Sequence, residues 1–272
     1  MARVLPSRPT SETSFTALVL AGIRPSGDAL ATAHGVPRKA LIRVGGTPML
    51  IRVLAALRAS RWVTRIGICG ADRAMLEAGG VAAKALEDVL WLEAAAQPSA
   101  SVVAAIDRLG ADHPLLVTTA DHPLLTGAMV DCFCAAATAT PGDVAAAVVD
   151  ANTMKKAYPD AHRTFYPLRD AAYTGCNLFA FTGPGGRRAA EAWHQVDLYR
   201  KKPWRVAALL GPFTLLRFAL RRLTLDDAIA VLSGRIGVRA RAVRMPAPEA
   251  GIDVDKPADI ELVERILASR AP

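Results

Sequence analysis

Residues 15–22 read Phe-Thr-Ala-Leu-Val-Leu-Ala-Gly, and this stretch decides the fold. Phe15 to Leu20 form an apolar run of the kind shown by a strand that is buried on both faces of a parallel sheet. A loop rich in glycine, proline and charge follows and ends at Lys39. A buried strand that runs into a glycine-containing loop is typical of a nucleotide-binding strand–loop–helix unit.

Strands and short helices alternate along the next part of the chain. Strands are predicted at 40–44, 65–69, 89–92, 115–119 and 144–149, and helices at 72–78, 101–109 and 127–137. A further helix is expected after Gly45-Gly46, with Thr47 as its N-cap, and serines are expected to cap the helix at 101–109. This alternation predicts parallel βαβ units and therefore an α/β fold with a doubly wound, mostly parallel, Rossmann-like sheet.

One domain is expected to hold most of the chain. Residues 1–14 contain two prolines and no apolar core, so we interpret them as a flexible N-terminal lead rather than a signal peptide. Residues 15–272 form a single predicted domain, within which 184–224 are interpreted as a basic helical insertion. The chain closes with a predicted helix after Lys256-Pro257 that has one apolar face.

The composition is that of a globular protein with an excess of positive charge. Of 272 residues, 52% are hydrophobic and 21% are charged, and the formal net charge is +8. This balance excludes wholesale disorder and indicates an anionic partner, for which nucleotides, phosphorylated metabolites, acidic lipids and nucleic acid all qualify. The four cysteines form no Cys-x-x-Cys pair, so we expect reduced thiols in a cytoplasmic protein.

Ligands of open parallel sheets bind beyond the carboxyl ends of the strands, where two segments offer candidate residues. The loop from Gly22 to Lys39 either presents backbone N–H groups and a cation to a triphosphate or is an ordinary turn with a surface lysine. Asp121 directly follows a predicted buried strand, where a carboxylate has little packing purpose. It is placed either to hold Mg²⁺ together with substrate phosphates or to act as the N-cap of the next helix.

Two further segments are expected at the same edge of the sheet. Of Asp253 and Asp255, we expect one to meet the same metal as Asp121 and the other to be solvated or to cap a helix. The stretch from Gln97 to Ser101 lies between a predicted strand and a predicted helix. It either contacts a base or ribose through backbone and hydroxyl groups or simply starts the helix.

Several other functions find no support in the sequence. The five histidines are scattered, with none at the i, i+4 spacing of a zinc helix, and no catalytic triad is evident. The basic residues lack the interleaved aromatic side chains of a single-strand platform, so no nucleic-acid partner is expected. The segment 200–222 mixes cations with Trp204 and Phe218, and we favour a helical cover packed on the sheet over an interfacial contact with a membrane.

Five stretches of the chain, taken together, resemble the MobA-like nucleotidyltransferase superfamily. They are ALVLAG at 17–22, RKAL at 38–41 with VGGTPML at 44–50, TTADHPLL at 118–125, YTGCN at 173–177 and GIDVDKPADIELV at 251–263. The superfamily includes molybdenum cofactor guanylyltransferases, sugar-phosphate nucleotidyltransferases and cytidylyltransferases. The stretches follow the family's order and span nearly the whole chain. One departure is the first loop, which is longer before its lysine than the usual LAGGxGxRM and lacks the second glycine.

The resemblance implies a role for each stretch. In such enzymes the first loop and its lysine bind the triphosphate, which maps to Leu20, Ala21, Gly22 and Lys39, with Arg24 in place of the usual loop arginine. The base lies against the stretch that matches Ser99, Ala100 and Ser101, and the acceptor lies against the one that matches Thr174, Gly175 and Asn177. Mg²⁺ is held by the residues that match Asp121 and Asp255, so Lys39, Asp121 and Asp255 form the implied catalytic set.

The activity implied by the resemblance is Mg²⁺-dependent transfer of a nucleoside monophosphate from an NTP to a phosphorylated small molecule, with release of pyrophosphate. CTP or GTP is favoured as the donor, and a sugar, polyol or headgroup phosphate as the acceptor. One alternative is a glycosyltransferase of related fold, although those generally carry Asp-x-Asp where this chain has Asp121-His122-Pro123. The other alternative is a nucleotide-binding protein without catalysis. The oligomeric state stays open, with a homodimer as the commonest assembly of soluble proteins.

Overall fold

The computed structural model describes residues 14–22, 27–110, 113–199 and 211–270, and one mixed sheet forms its centre. The sheet contains β1 (Phe15–Leu20), β4 (Val63–Cys69), β5 (Val89–Leu92), β6 (Leu115–Thr119), β7 (Val144–Asp150), β8 (Tyr166–Pro167), β9 (Ala172–Phe181) and β10 (Ala240–Arg244). A separate hairpin pairs β2 (Arg43–Val44) with β3 (Thr47–Pro48). The order across the sheet is β10-β7-β9-β6-β1-β4-β5, and β8 pairs with β9.

The sheet is parallel except where β9 takes part. β1 pairs in parallel with β4 on one side and with β6 on the other, β5 continues beyond β4, and β10 pairs in parallel with β7. β9 lies between β6 and β7 and is antiparallel to both. The prediction of an α/β, doubly wound, mostly parallel sheet is therefore confirmed, but β9 and β10 are missed. Gly175 and Asn177 interrupt the apolar pattern of β9, and β10 is an edge strand with two arginines, so neither reads as a buried strand.

Helices cover the two faces of this sheet. They are α1 (Ala29–Ala33), α2 (Met49–Arg58), α3 (Arg73–Ala78), α4 (Pro98–Leu109), α5 (Gly127–Thr138), α6 (Ala151–Ala157), α7 (Gly186–Tyr199), α8 (Pro212–Ala219), α9 (Leu225–Ile236) and α10 (Pro257–Ser269). Within the described residues, no helix combines the length and apolar character needed to cross a bilayer. In the segment 184–224, α7 and α8 are helical, whereas 200–210, with four of its nine cations, lies outside the described residues.

Two predicted helix starts are wrong. Thr47 is not an N-cap but part of the β2–β3 hairpin, because Gly45 and Gly46 both have positive φ values, of 54° and 75°, and close a tight turn. The predicted strand at 40–44 shrinks accordingly to Arg43–Val44 after a 3₁₀ turn at Lys39–Leu41. α4 begins at Pro98, with Gln97 as its N-cap, so the serines lie inside the helix rather than before it.

The core consists of one apolar cluster on each face of the sheet. Phe15, Ala17 and Val19 of β1 join the larger cluster, which also contains the buried residues of α2, α5 and α10. Leu18 points to the opposite face and packs in the smaller cluster with α4 and α7. Burial of alternate residues on opposite faces makes β1 a central strand, as its apolar sequence predicts.

The carboxyl ends of the central strands meet at one edge of the sheet. The N–H of Ala21 donates to the carbonyl of Cys69 over 2.8 Å, and the N–H of Ala120 donates to the carbonyl of Leu20 over 3.0 Å. The residues that follow β1 and β6 are thus held beside the ends of their neighbours. The loop after β1 and Asp121 after β6 therefore reach the same edge.

Candidate functional site

Lys39 joins two carboxylates at this edge of the sheet. Its Nζ lies 2.5 Å from Oδ2 of Asp121 and 2.8 Å from Oδ1 of Asp255. The side chains of Lys39 and Asp121 are only 20% and 16% exposed, whereas that of Asp255 is 52% exposed. Burial disfavours the charged form of Lys39, but the two carboxylates outweigh it and raise the pKa of Lys39 above its ordinary value. The implied catalytic set thus forms one cluster, in which Lys39 is protonated and lies between the carboxylates of Asp121 and Asp255.

The backbone around each acid explains how they come together. Asp121 does not cap a helix, because Thr126 is the N-cap of α5 and accepts from the N–H of Met129. The N–H of Val254 donates to the carbonyl of Asp121 over 2.9 Å, which fixes the chain before α10 against the end of β6. The N–H of Asp255 in turn donates to Oδ2 of Asp259 over 2.9 Å. The alternative in which Asp121 caps the next helix is therefore wrong.

The two carboxylates fit a magnesium ion. Oδ1 of Asp121 is buried and has no hydrogen-bond partner among the residues that the structure describes. A buried carboxylate oxygen left in this way is costly unless an ion or ligand completes it. Mg²⁺ takes one or two carboxylates and fills its other positions with water and substrate phosphates. Among the described residues, no group of three or more His, Cys, Asp or Glu side chains is placed to hold a metal ion.

The first loop lies against the end of β4. Gly70 has a φ of +88°, and a Cβ there would approach within 2.6 Å of the Cα of Gly22 and 2.7 Å of its nitrogen. Only glycine permits this approach. A Cβ on Gly22 itself would meet no atom of the described residues within 4 Å. Arg24 lies outside the described residues.

An open cleft adjoins this loop, with a volume of about 830 Å³. Its lining includes three cations, two carboxylates and an aromatic ring: Arg38, Arg73 and Arg108, Asp72 and Glu93, and Trp91. Leu20 ends β1 and Ala21 is buried beside the loop. The cleft and the backbone of Gly22 are where an anionic ligand with a flat ring would find both charge and a surface to pack on.

The serines of α4 turn their hydroxyls into the protein. Ser99 is fully buried, and its Oγ lies 3.1 Å from Nδ1 of His194 on α7. The hydroxyl of Ser101 accepts from the N–H of Ala95 over 2.9 Å and donates to the carbonyl of Gln97. The surface that this stretch presents to a base therefore consists of its backbone, the half-buried Ala100 and the part of Ser101 that lines the cleft.

Asn177 stands out among the acceptor candidates of β9. Its φ is 47°, a left-handed conformation that is uncommon outside glycine and often marks a functional position. It falls at the irregularity where β9 shifts its register against β7. Thr174 is buried and pairs with Val149, whereas Gly175 is exposed. Of the three, Asn177 and Gly175 are open to a ligand.

A family model for the MobA-like NTP transferase domain matches residues 17–210, which is well over half of the chain. The chain belongs to this family. The expectation of a nucleotidyltransferase enzyme is thereby confirmed, and the resemblance stated from five short stretches is correct.

Solved structures show the same fold for the MobA-like transferase. A protein from Thermus thermophilus described as a hypothetical transferase is 29% identical, with a TM-score of 0.77 over 91% of this chain and 99% of that one. A CMP:2-keto-3-deoxy-manno-octonic acid synthetase complexed with CTP is 15% identical, with a TM-score of 0.59 over 95% of this chain and 100% of that one. A 2-C-methyl-D-erythritol 4-phosphate cytidylyltransferase, also from Thermus thermophilus, is 17% identical, with a TM-score of 0.52 over 94% of this chain and 99% of that one. No curated protein gives a significant match.

His122 of this MobA-like transferase follows Asp121 and lies in the interior of the protein. It is 1% exposed, and its Nε2 lies 3.4 Å from the carbonyl oxygen of Glu249. Burial lowers the pKa of His122 to about 4, although that carbonyl and the charge of Asp121 favour protonation. His122 is thus neutral at pH 7 and adds no positive charge beside the carboxylate of Asp121.

Asp253 corrects a second expectation. It is neither solvated nor a helix cap, because its side chain is 17% exposed, is paired with Arg163 and accepts from Asn177 over 2.6 Å. Residues two apart share a face in a regular strand. The irregular backbone between the 3₁₀ turn at Pro248–Gly251 and α10 is what sends Asp253 and Asp255 to different partners in this transferase. Arg163 itself carries no recognisable signal in the sequence.

Proposed function

We propose that this MobA-like transferase moves a nucleoside monophosphate from CTP or GTP to a phosphorylated small molecule and releases pyrophosphate, with Mg²⁺ as its cofactor. The acceptor is a sugar, polyol or headgroup phosphate. One observation supports the proposal above all: Lys39 lies within 2.5 Å of Asp121 and 2.8 Å of Asp255 at the edge where the first loop ends. Phosphoryl-group transfer requires such positioning and charge neutralisation rather than covalent chemistry by the protein.

Each member of the cluster has a separate task. Asp121 and Asp255 would hold the metal, which, when bound, supplies positive charge to the phosphate oxygens of the substrate. The raised pKa of Lys39 keeps its side chain positively charged, so it binds the triphosphate and stabilises the charge that develops on the leaving pyrophosphate. His122 is neutral and buried, so it leaves the negative charge of Asp121 intact for the metal.

The nucleotide is expected along the first loop and the adjoining cleft. Leu20, Ala21 and Gly22 present backbone to the phosphates, and the cleft beside Trp91 and Ser101 takes the base. Arg38 precedes Lys39 and lines the cleft, which adds a second cation to the phosphate path. CTP stands first among the donors, because two structures of this fold are named for CTP or for cytidylyl transfer.

The acceptor is expected on the side of β9. Asn177 and Gly175 face it, and Thr174 supports them from within. An acceptor phosphate suits the formal charge of +8, since a basic protein attracts anionic substrates from solution. A cytoplasmic location and a homodimer remain part of the proposal, to be checked by cell fractionation and by light scattering.

The test is pyrophosphate release in the presence of Mg²⁺, with CTP, GTP, UTP and ATP each offered to a pool of phosphorylated sugars, polyols and amino-alcohols. We expect release that needs one NTP and one acceptor, with Asp121→Asn inactive in the same assay. Nucleotide binding without release across the panel would favour the non-catalytic alternative. Transfer of a sugar from a nucleotide-sugar, without pyrophosphate, would favour the glycosyltransferase instead.

A further inference from the structure

Arg163 lies in the connection between α6 and β8 and is surrounded by oxygen atoms of the segment 251–259. Its side chain is 11% exposed. Nε donates to the carbonyl of Gly251 over 2.9 Å, and Nη1 donates to the carbonyl of Asp253 over 3.2 Å. The same guanidinium is paired with the carboxylate of Asp253, and its Nη1 lies 3.7 Å from Oδ1 of Asp259. A planar fork with several donors matches this set of acceptors, whereas a single ammonium group does not.

One branch of this cluster leads to Asp255. Oδ2 of Asp259 accepts from the N–H groups of Asp255 and Lys256, each over 2.9 Å. Arg163 lies beside the other oxygen of the same carboxylate. It also holds the carbonyl of Asp253, two residues before Asp255. The backbone of Asp255, the proposed metal ligand, is therefore held by the carboxylate of Asp259 and, two residues earlier, at the carbonyl of Asp253, and Arg163 contacts both groups.

A second branch leads to Asn177. Nδ2 of Asn177 donates to Oδ2 of Asp253 over 2.6 Å, while the other oxygen of Asp253 is paired with Arg163. An ionised carboxylate only accepts hydrogen bonds, so the amide must turn its NH₂ group towards Asp253 and its carbonyl oxygen away. The residue that makes this contact has a φ of 47°, in the left-handed region. The orientation of the proposed acceptor residue thus depends on the ion pair behind it.

We propose that Arg163 is a positioning residue that sets Asp255 and Asn177 relative to each other, through Asp259 and Asp253. Because one buried guanidinium supports both, the metal side and the acceptor side of the site are coupled. This inference rests on the proposed function, because that function assigns Asp255 to the metal and Asn177 to the acceptor. The coupling itself is a property of the contacts among these five residues and can be measured without turnover.

The experiment compares Arg163→Lys with the wild-type chain in two binding readouts. The first is the affinity for Mn²⁺, followed by electron paramagnetic resonance of the free ion in the absence of nucleotide. We expect Arg163→Lys to weaken it by about ten- to a hundredfold, the usual effect of losing a group that orients a metal ligand. The second is the side-chain amide of Asn177 in ¹⁵N spectra, assigned by its loss in Asn177→Ala. We expect its signal to move and its hydrogen exchange to quicken.

Arg187→Lys is the matched control. Arg187 also links acidic side chains, since its Nε donates to Asp107 over 2.6 Å and its guanidinium is paired with Glu191, and neither acid belongs to the site. The control should leave both readouts at their wild-type values. Where an active NTP and acceptor are in hand, Arg163→Lys should also raise KM for the acceptor and lower kcat while KM for the NTP stays near its original value.

The inference is overturned if Arg163→Lys folds and leaves Mn²⁺ affinity and the Asn177 amide unchanged. It is equally overturned if the two variants change both readouts by the same factor, since that would indicate a general loss of stability. If Arg163→Lys does not fold, Asp253→Asn takes its place and must release the amide of Asn177. Absence of pyrophosphate release, with both binding readouts as expected, would refute the proposed function and leave the coupling intact.

Discussion

Replacing Lys39 with methionine tests the central cluster directly. The change keeps most of the volume of the side chain and removes its charge, so Asp121 and Asp255 lose the cation between them. Asp121 is 16% exposed and Asp255 is 52% exposed. The pair therefore lies between a surface ion pair and a buried one.

The expected magnitude follows from that placement. Surface pairs contribute about 0–1 kcal/mol, whereas removal of one partner from a buried pair costs about 3–5 kcal/mol. We expect Lys39→Met to lower the free energy of unfolding by about 2–3 kcal/mol at pH 7.5, because the two carboxylates then repel each other and one is mostly buried. For a domain of this size, the corresponding fall in Tm is roughly 4–10 °C.

The assay is urea unfolding followed by circular dichroism, with and without Mn²⁺ or Mg²⁺. A divalent ion that binds only the folded state stabilises it by about 2.7 kcal/mol at a hundredfold excess over its Kd. In Lys39→Met the ion meets two carboxylates that no lysine shares, so it should restore most of the lost stability. In the wild-type chain it must displace Lys39 and should add less. Lys156→Met, at an exposed position on α6, is the control and should change neither value.

Two results would refute this reasoning. One is a loss of less than about 1 kcal/mol in Lys39→Met, the range of an exposed pair. The other is equal stabilisation of both chains by the divalent ion, which would mean that Lys39 and the metal do not compete for the same oxygens.

Three other perturbations follow from the same geometry. Asp121→Asn should lower turnover by more than about a thousandfold while circular dichroism shows a folded chain at the assay temperature, since it removes the proposed metal ligand; near-normal turnover would rule out the mechanism. Burial lowers the pKa of His122 to about 4, so the folded state favours the neutral imidazole. The contribution of this residue to stability is fully present above its pKa in the unfolded chain, about 6.5, and is lost as the pH falls through about 4. The whole loss amounts to about 3 kcal/mol. Urea unfolding at pH 7.5 and 4.5 should show a smaller loss of stability between the two pH values in His122→Gln than in the wild-type chain, and an unchanged loss in His34→Gln. Gly70→Ala should cost about 1–3 kcal/mol and weaken NTP binding, because its Cβ would lie 2.6 Å from the Cα of Gly22. Gly110→Ala, at the C-terminal end of α4, should leave NTP binding unchanged, because Gly110 also has a positive φ, of 95°, but a Cβ there would meet no atom of the described residues within 4 Å.

Much of the fold could be predicted from the sequence because its central strands are buried on both faces. β5 and β6 lie at their predicted bounds, and β1 alternates between the two apolar clusters as its composition requires. β9 was out of reach, since its antiparallel place between β6 and β7 depends on partners elsewhere in the chain. The hairpin at Arg43–Pro48 was missed because two glycines with positive φ form its turn, and Thr47 reads equally well as an N-cap.

The site divides in a similar way. Lys39, Asp121 and Asp255 could be named from short stretches, because each follows a buried strand or a recognisable loop. Arg163 could not, since an isolated arginine in a connection reads as a surface residue. Ser99 and Ser101 suggested ligand contacts, but their hydroxyls bond within the protein: Ser99 contacts His194 on α7, which only the packing of the two helices reveals, and Ser101 bonds to the backbone of Ala95 and Gln97.

The sequence by itself determined the class of fold, the strands of its centre and the family, because periodicity and ordered short stretches are local properties of a chain. Only the tertiary structure decided which charges meet. Lys39 and Asp255 are 216 positions apart, and Arg163 reaches Asp253 across 90. Burial, ion pairing and the pKa of His122 all arise from segments distant in sequence that pack together, so no local pattern encodes them.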